Sequence, residues 1–151
     1  MMGRTWSDRA PLVAIVEADR ALGELLRDAF REEGYDAALC PHRSAATATI
    51  HVTNPDLVLI NSWLGRRDDG WKLVAELRGQ VATERLPVIV FSSDLENPAT
   101  LRDRCRQSRL CAIVAPFDLE NLLARAAECL AAGERAAGAR QLAAAPGGAR
   151  S

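Results

Sequence analysis

The sequence predicts an α/β fold, a doubly wound five-stranded parallel sheet, on three observations. Short apolar runs recur along the chain, and the first of them, Leu12-Val13-Ala14-Ile15-Val16, is continuous and β-branched, as in a strand covered on both faces. Each run is followed by a segment with helical character. Strands alternating with helices of this length imply right-handed crossovers and a parallel sheet. The length of 151 residues suits one domain.

The elements follow in order. After the first strand, Asp19 is placed to cap a helix whose apolar stripe is Leu22, Leu25, Leu26, Ala29 and Phe30, and Gly34 is placed to end it. Asp36 to Cys40 reads as the second strand and Ser44 to Val52 as a short helix. Asn54-Pro55 breaks the chain before the third strand, Leu57-Val58-Leu59-Ile60. A loop from Leu64 to Gly70 leads to a third helix around Trp71 to Arg78. Pro87 opens the fourth strand, Val88 to Phe91, and Pro98 sits in the first turn of a fourth helix that runs to about Arg106. Ala112-Ile113-Val114 is the fifth strand. Asp118 caps a fifth helix with Leu119, Leu122, Leu123, Ala126 and Leu130 on its apolar side. The expected organisation is a flexible segment over 1–10, the domain over 11–132, and a disordered Ala/Gly/Arg tail over 133–151, whose periodicity is weak.

Composition narrows the function. A net charge of -1 argues against a nucleic-acid binder, which needs a concentrated positive surface, and 5% aromatic residues argue against a base-stacking platform. No apolar run approaches the ~20 residues of a membrane span, and Met1 to Ala10 has no signal-peptide core. The expected location is cytoplasmic. The four cysteines, Cys40, Cys105, Cys111 and Cys129, have no CxxC or Cys/His metal spacing and read as reduced, buried small hydrophobes. His42 and His51 stand in separate segments without a ligand pattern. Of the 19 basic residues only Lys72 is a lysine, so lysine chemistry must use it or do without.

In an open parallel sheet, ligands bind beyond the carboxyl ends of the strands. Those ends carry Glu17, Ala18 and Asp19 after the first strand, and Asn61, Ser62 and Trp63 after the third. Ser92 and Ser93 follow the fourth strand, and Ala115-Pro116-Phe117 the fifth. Val16-Glu17-Ala18-Asp19-Arg20 is neither a GxGxxG nor a GxxxxGK[ST] element, and no serine stands in a GxSxG elbow.

The runs Pro55-Asp56-Leu57-Val58-Leu59-Ile60, Pro87-Val88-Ile89-Val90-Phe91-Ser92 and Pro116-Phe117-Asp118-Leu119 stand where receiver domains of two-component response regulators have similar runs. The chain resembles that family over about 120 residues. The resemblance implies the flavodoxin-like sheet order 2-1-3-4-5. It also implies phosphoryl transfer to an aspartate ending the third strand. Two acids after the first strand would hold magnesium, and a hydroxyl and a lysine would contact the phosphoryl group. Carried over, the acidic pair falls on Glu17 and Ala18, the phosphoacceptor on Asn61, the hydroxyl on Ser92 and the lysine on Ala115. Only Glu17 and Ser92 match.

These departures imply a degenerate, stand-alone receiver. An amide is a poor nucleophile, Ala115 cannot neutralise developing phosphate charge, and magnesium would be left with Glu17, an amide oxygen and Asp19. The expectation is no catalysis, weak or absent magnesium binding, and action by protein binding. The partner would be a histidine kinase or effector of a signalling pathway, and a homodimer is compatible. The family's output surface maps to Arg102, Arg104, Arg106 and Arg109 near the fourth helix and to Glu120, Arg125 and Glu128 on the fifth, with its aromatic switch on Ala112. A cis bond is expected between Ala115 and Pro116. Trp63 and Trp71 flank the pocket loop, as gates or as packing. Two alternatives stand beside this reading. One is a conventional phosphoacceptor receiver using another acid such as Asp19 or Asp69. The other is a flavodoxin-like small-ligand binder using the same strand ends.

Overall fold

The computed structural model describes residues 9–66, 68–92, 97–113 and 118–144. The elements are β1 (Leu12–Val16), α1 (Arg20–Glu32), β2 (Asp36–Cys40), α2 (Arg43–Thr53), β3 (Leu57–Asn61), α3 (Asp69–Arg78), β4 (Val88–Phe91), α4 (Pro98–Gln107), β5 (Cys111–Ile113) and α5 (Leu119–Ala144). All strand pairs are parallel, and the sheet order is β2-β1-β3-β4-β5.

The continuous apolar strands are explained by two cores. Side chains alternate across a strand, so neighbours in sequence enter opposite faces. Ala14, Val58, Ile60, Val88 and Val90 pack with Ile50, Leu73, Leu77 and Leu101 from α2, α3 and α4. Val13, Ile15, Leu57, Leu59 and Ile89 pack with Leu26, Phe30, Leu122 and Leu130 from α1 and α5. Both faces of the inner strands are covered, so a polar side chain buried there needs a partner.

Local chemistry sets the helix ends. The Asp19 carboxylate accepts the Leu22 N–H at 3.1 Å, and the Asp118 carboxylate accepts the Asn121 N–H at 2.7 Å. Asn97 caps α4 by accepting from Ala99 and Thr100, with Pro98 at its start. His42, which matched no ligand pattern in the sequence, caps α2 by accepting the Ala45 N–H on Nδ1 at 3.1 Å. Helix α1 ends as the sequence predicts. Gly34 takes φ +96°, the Gly34 N–H reaches Arg31 O and the Tyr35 N–H reaches Phe30 O, while the Phe30 and Tyr35 rings meet at 5.7 Å.

Two expectations are corrected. The fifth helix runs on past residue 132 to Ala144, where a disordered tail was expected, and 145–151 lie outside the described residues. Ala, Glu and Arg are strong helix formers, and Gly133, Ala137 and Arg140 line a cavity together with Pro55 and Pro87. Gly133 is the close approach, because a Cβ there would meet Pro87 Cγ at 2.8 Å. The fifth strand begins at Cys111, one residue earlier than expected, and Val114 lies outside the described residues.

Candidate functional site

The carboxyl ends of β1, β3 and β4 converge where the chain order reverses across the sheet. Glu17 follows β1, and its backbone N–H still pairs with Cys40 O at 3.0 Å. Its side chain is buried at 3% exposure rather than facing solvent. Asn61, the last residue of β3, donates from Nδ2 to Glu17 Oε1 at 2.8 Å. The Asn61 Oδ1 accepts the Trp63 N–H at 2.9 Å, which fixes the amide orientation because a backbone N–H can only donate. The other Glu17 oxygen accepts the Asp19 N–H at 2.9 Å. Burial raises the Glu17 pKa, while the bonds from Asp19 and Asn61 hold it down in part.

The expected pocket residues therefore divide. Glu17 and Asn61 are brought together, and Ala18 lies beside them on the same turn. Asp19 contributes its backbone, since its carboxylate is occupied at the α1 terminus. Ser92 is buried at the end of β4, and its Oγ has no hydrogen-bond partner among the described residues. Ala115, and with it the Ala115–Pro116 bond, lies outside the described residues. Asp69 sits in the first turn of α3 with Lys72 Nζ at 4.0 Å.

The loop after β3 is held tightly. The Gly70 N–H reaches Ser62 O at 3.2 Å, and a Cβ at Gly70 would meet Ser62 Cα at 2.7 Å. Trp71 is buried, with the Arg104 guanidinium over its ring at 4.0 Å. It is packing between α3 and α4 rather than a gate.

The expected output surface also divides. Arg102, Arg106, Ala112 and Arg125 line one open cavity of about 360 Å³ between α4, β5 and α5, with Cys105 and Cys111 at its wall. Arg106 pairs with Asp103, and Arg125 with Glu128 at 3.8 Å. Glu120 is exposed in the first turn of α5. Arg109 does not belong to this face. It turns at φ +58° before β5 and lines a separate cavity of about 420 Å³ with Arg78, Arg85 and Arg140.

Arg78, which sequence reasoning did not single out, ties that end together. Its guanidinium donates to Ser108 O at 3.0 Å and to Leu86 O at 2.8 Å, and burial lowers its pKa. At the same pole, Arg9 forks onto the buried Asp56 at 3.0 and 3.1 Å, and the Leu12 N–H donates to Asp56 at 2.8 Å. No helix among the described residues is long and apolar enough to cross a membrane.

A doubly wound sheet with an acid after β1, a polar residue ending β3 and a hydroxyl after β4 is the arrangement that receiver domains share. Residues 13–127 match the response regulator receiver domain family, and the chain belongs to it. It is 30% identical over 115 residues to the phosphate regulon transcriptional regulatory protein PhoB of Rhizobium meliloti, covering 76% of this chain and 50% of that protein. It thus spans half the length of that relative. Among solved structures, NtrX of Brucella abortus superposes with TM-score 0.77 at 25% identity, over 89% of this chain and 30% of that one. A CheY-like receiver domain protein of Methanospirillum hungatei superposes with TM-score 0.74 at 17% identity, over 84% and 98% of the two chains.

Proposed function

We propose that this response-regulator receiver domain is not phosphorylated and acts in two-component signalling by binding a protein partner, without catalysis of its own. The observation that carries the reading is the closed hydrogen-bond chain Asp19 N–H to Glu17, Asn61 Nδ2 to Glu17, and Trp63 N–H to Asn61 Oδ1. Where the family attacks phosphorus with a carboxylate, this chain carries an amide whose nitrogen is committed as a donor and has no lone pair to offer. Nor does the donor set suit magnesium. Among the described residues Glu17 is the carboxylate aimed into the site, both its oxygens already accept, and Asn61 turns its NH₂ group toward it. Alanine at position 115 removes the cation that would neutralise the transferring group. The hydrogen bond from Asn61 offsets part of the cost that burial imposes on the Glu17 carboxylate.

Use of another acid is disfavoured by the same geometry, because Asp19 caps α1 and Asp69 faces Lys72. The docking face we favour is the α4–β5–α5 cavity, where Arg102, Arg106 and Arg125 would meet acidic groups on a kinase or effector. The test is incubation with acetyl phosphate, or a histidine kinase and ATP, at saturating Mg²⁺, followed by intact-mass measurement. No mass change is expected. A hydroxylamine-sensitive gain of one phosphoryl group overturns the reading.

A further inference from the structure

Cys111 on β5 and Cys129 on α5 are 18 positions apart in sequence, and the fold brings their sulfurs to 2.7 Å. Both thiols are free. The distance is under an ångström longer than the ~2.05 Å of a disulfide bond, so the two sulfurs already stand close to bonding distance. Their environments differ. Cys129 is buried at 8% exposure, whereas Cys111 is half-buried and lines the open cavity with Arg102, Arg106 and Arg125. One sulfur is thus reachable by a small solute in a cationic setting, and the other lies behind it.

We propose that Cys111 and Cys129 form an oxidisable thiol pair, in which a peroxide attacks at Cys111 and Cys129 closes a disulfide between β5 and α5. The steps balance. The Cys111 thiolate takes one oxygen from hydrogen peroxide and releases hydroxide, giving a sulfenic acid. The Cys129 thiol then displaces water from that sulfur as the S–S bond forms. Two thiols are oxidised and one peroxide is reduced to water. A dithiol reductant reverses the bond.

The electrostatics agree with this order. The Cys129 thiol and the Arg125 guanidinium lower the Cys111 pKa against its burial, although Glu128 opposes them. The Cys129 pKa is raised, by its bond to Cys111 first and by burial second. With its exposure to the cavity, Cys111 is the attacking thiolate, and the more deeply buried Cys129 is the resolving thiol. By contrast, burial raises the pKa of Cys40. If the α4–β5–α5 cavity is the docking face proposed above, the cross-link would fix β5 against α5 at its wall. The thiol chemistry itself is independent of that reading.

The test uses the full chain with hydrogen peroxide, read by intact mass and a non-reduced digest. Loss of two hydrogens and one linked peptide joining Cys111 to Cys129 are expected, both reversed by dithiothreitol. In Cys129→Ser, a dimedone-trappable sulfenic acid should accumulate on Cys111. Without any substitution, iodoacetamide at neutral pH should modify Cys111 at least about tenfold faster than Cys40 or Cys105. Absence of the linked peptide, or equal modification of Cys40, Cys105 and Cys111, overturns the proposal.

Discussion

Replacing Asn61 with aspartate tests the central hydrogen bond directly. In the native site, Asn61 Nδ2 donates to Glu17 Oε1 across 2.8 Å, and Asn61 Oδ1 accepts from Trp63. The aspartate keeps the second bond but points an oxygen at the buried Glu17 carboxylate. Two unit charges at that separation repel by about 6 kcal/mol at an effective dielectric of 20, an upper bound that the pair escapes by holding one proton between them. The charge-assisted bond it replaces was worth about 1.5–3 kcal/mol.

Asn61→Asp should therefore destabilise the domain by about 2–4 kcal/mol at pH 8 without divalent ions. The pH dependence has a definite sign. Burial already puts the folded-state pKa of Glu17 above its unfolded value, and the new neighbour raises it further. The native state then binds more protons than the unfolded state. The stabilising contribution is fully present below the unfolded pKa and is lost as pH rises through the folded one. Urea denaturation at pH 8 and pH 5.5 reads this: the deficit should shrink to within about 1 kcal/mol at the lower pH. Equal stability of variant and wild type at pH 8 would refute the claim that the Asn61 amide holds Glu17.

Further outcomes follow from the same geometry. Asn61→Asp alone should not label with acetyl phosphate, whereas Ala18→Asp, Asn61→Asp and Ala115→Lys combined should, measured as phosphoryl stoichiometry at saturating Mg²⁺. Equal labelling of single and triple variants would mean that Asn61 alone keeps the site silent. Arg9→Ala removes the fork on Asp56 and should cost about 1–3 kcal/mol in urea unfolding, with the Leu12 N–H bond retained. Gly133→Val would drive a side chain into Pro87 and lift the end of α5. Amide exchange should then quicken over 133–144 while the strands keep their protection.

The sequence alone determined the alternation of strands and helices, the caps Asp19 and Asp118, the glycine stop at Gly34 and the covering of both sheet faces. Each is a local signal, a continuous apolar run, a period of 3.6 or a side chain bonding within three residues of itself. It also placed Glu17, Asn61 and Ser92 at the strand ends, since strand ends are legible wherever apolar runs stop. The burial of Glu17 and its bond to Asn61 were not legible, because they depend on β1 and β3 lying side by side with 44 residues between them.

Only the tertiary structure decided three further matters. The end of α5 is helical although its sequence has weak periodicity, and Gly133 lets it approach Pro87 closely without an apolar stripe. Arg109 parts company with Arg102 and Arg106 because the chain turns through a left-handed residue between α4 and β5, sending it to the opposite pole. Cys111 and Cys129 read separately as small buried hydrophobes. The chain must fold α5 back across β5 before their sulfurs meet, and spacing along a sequence carries no information about that return.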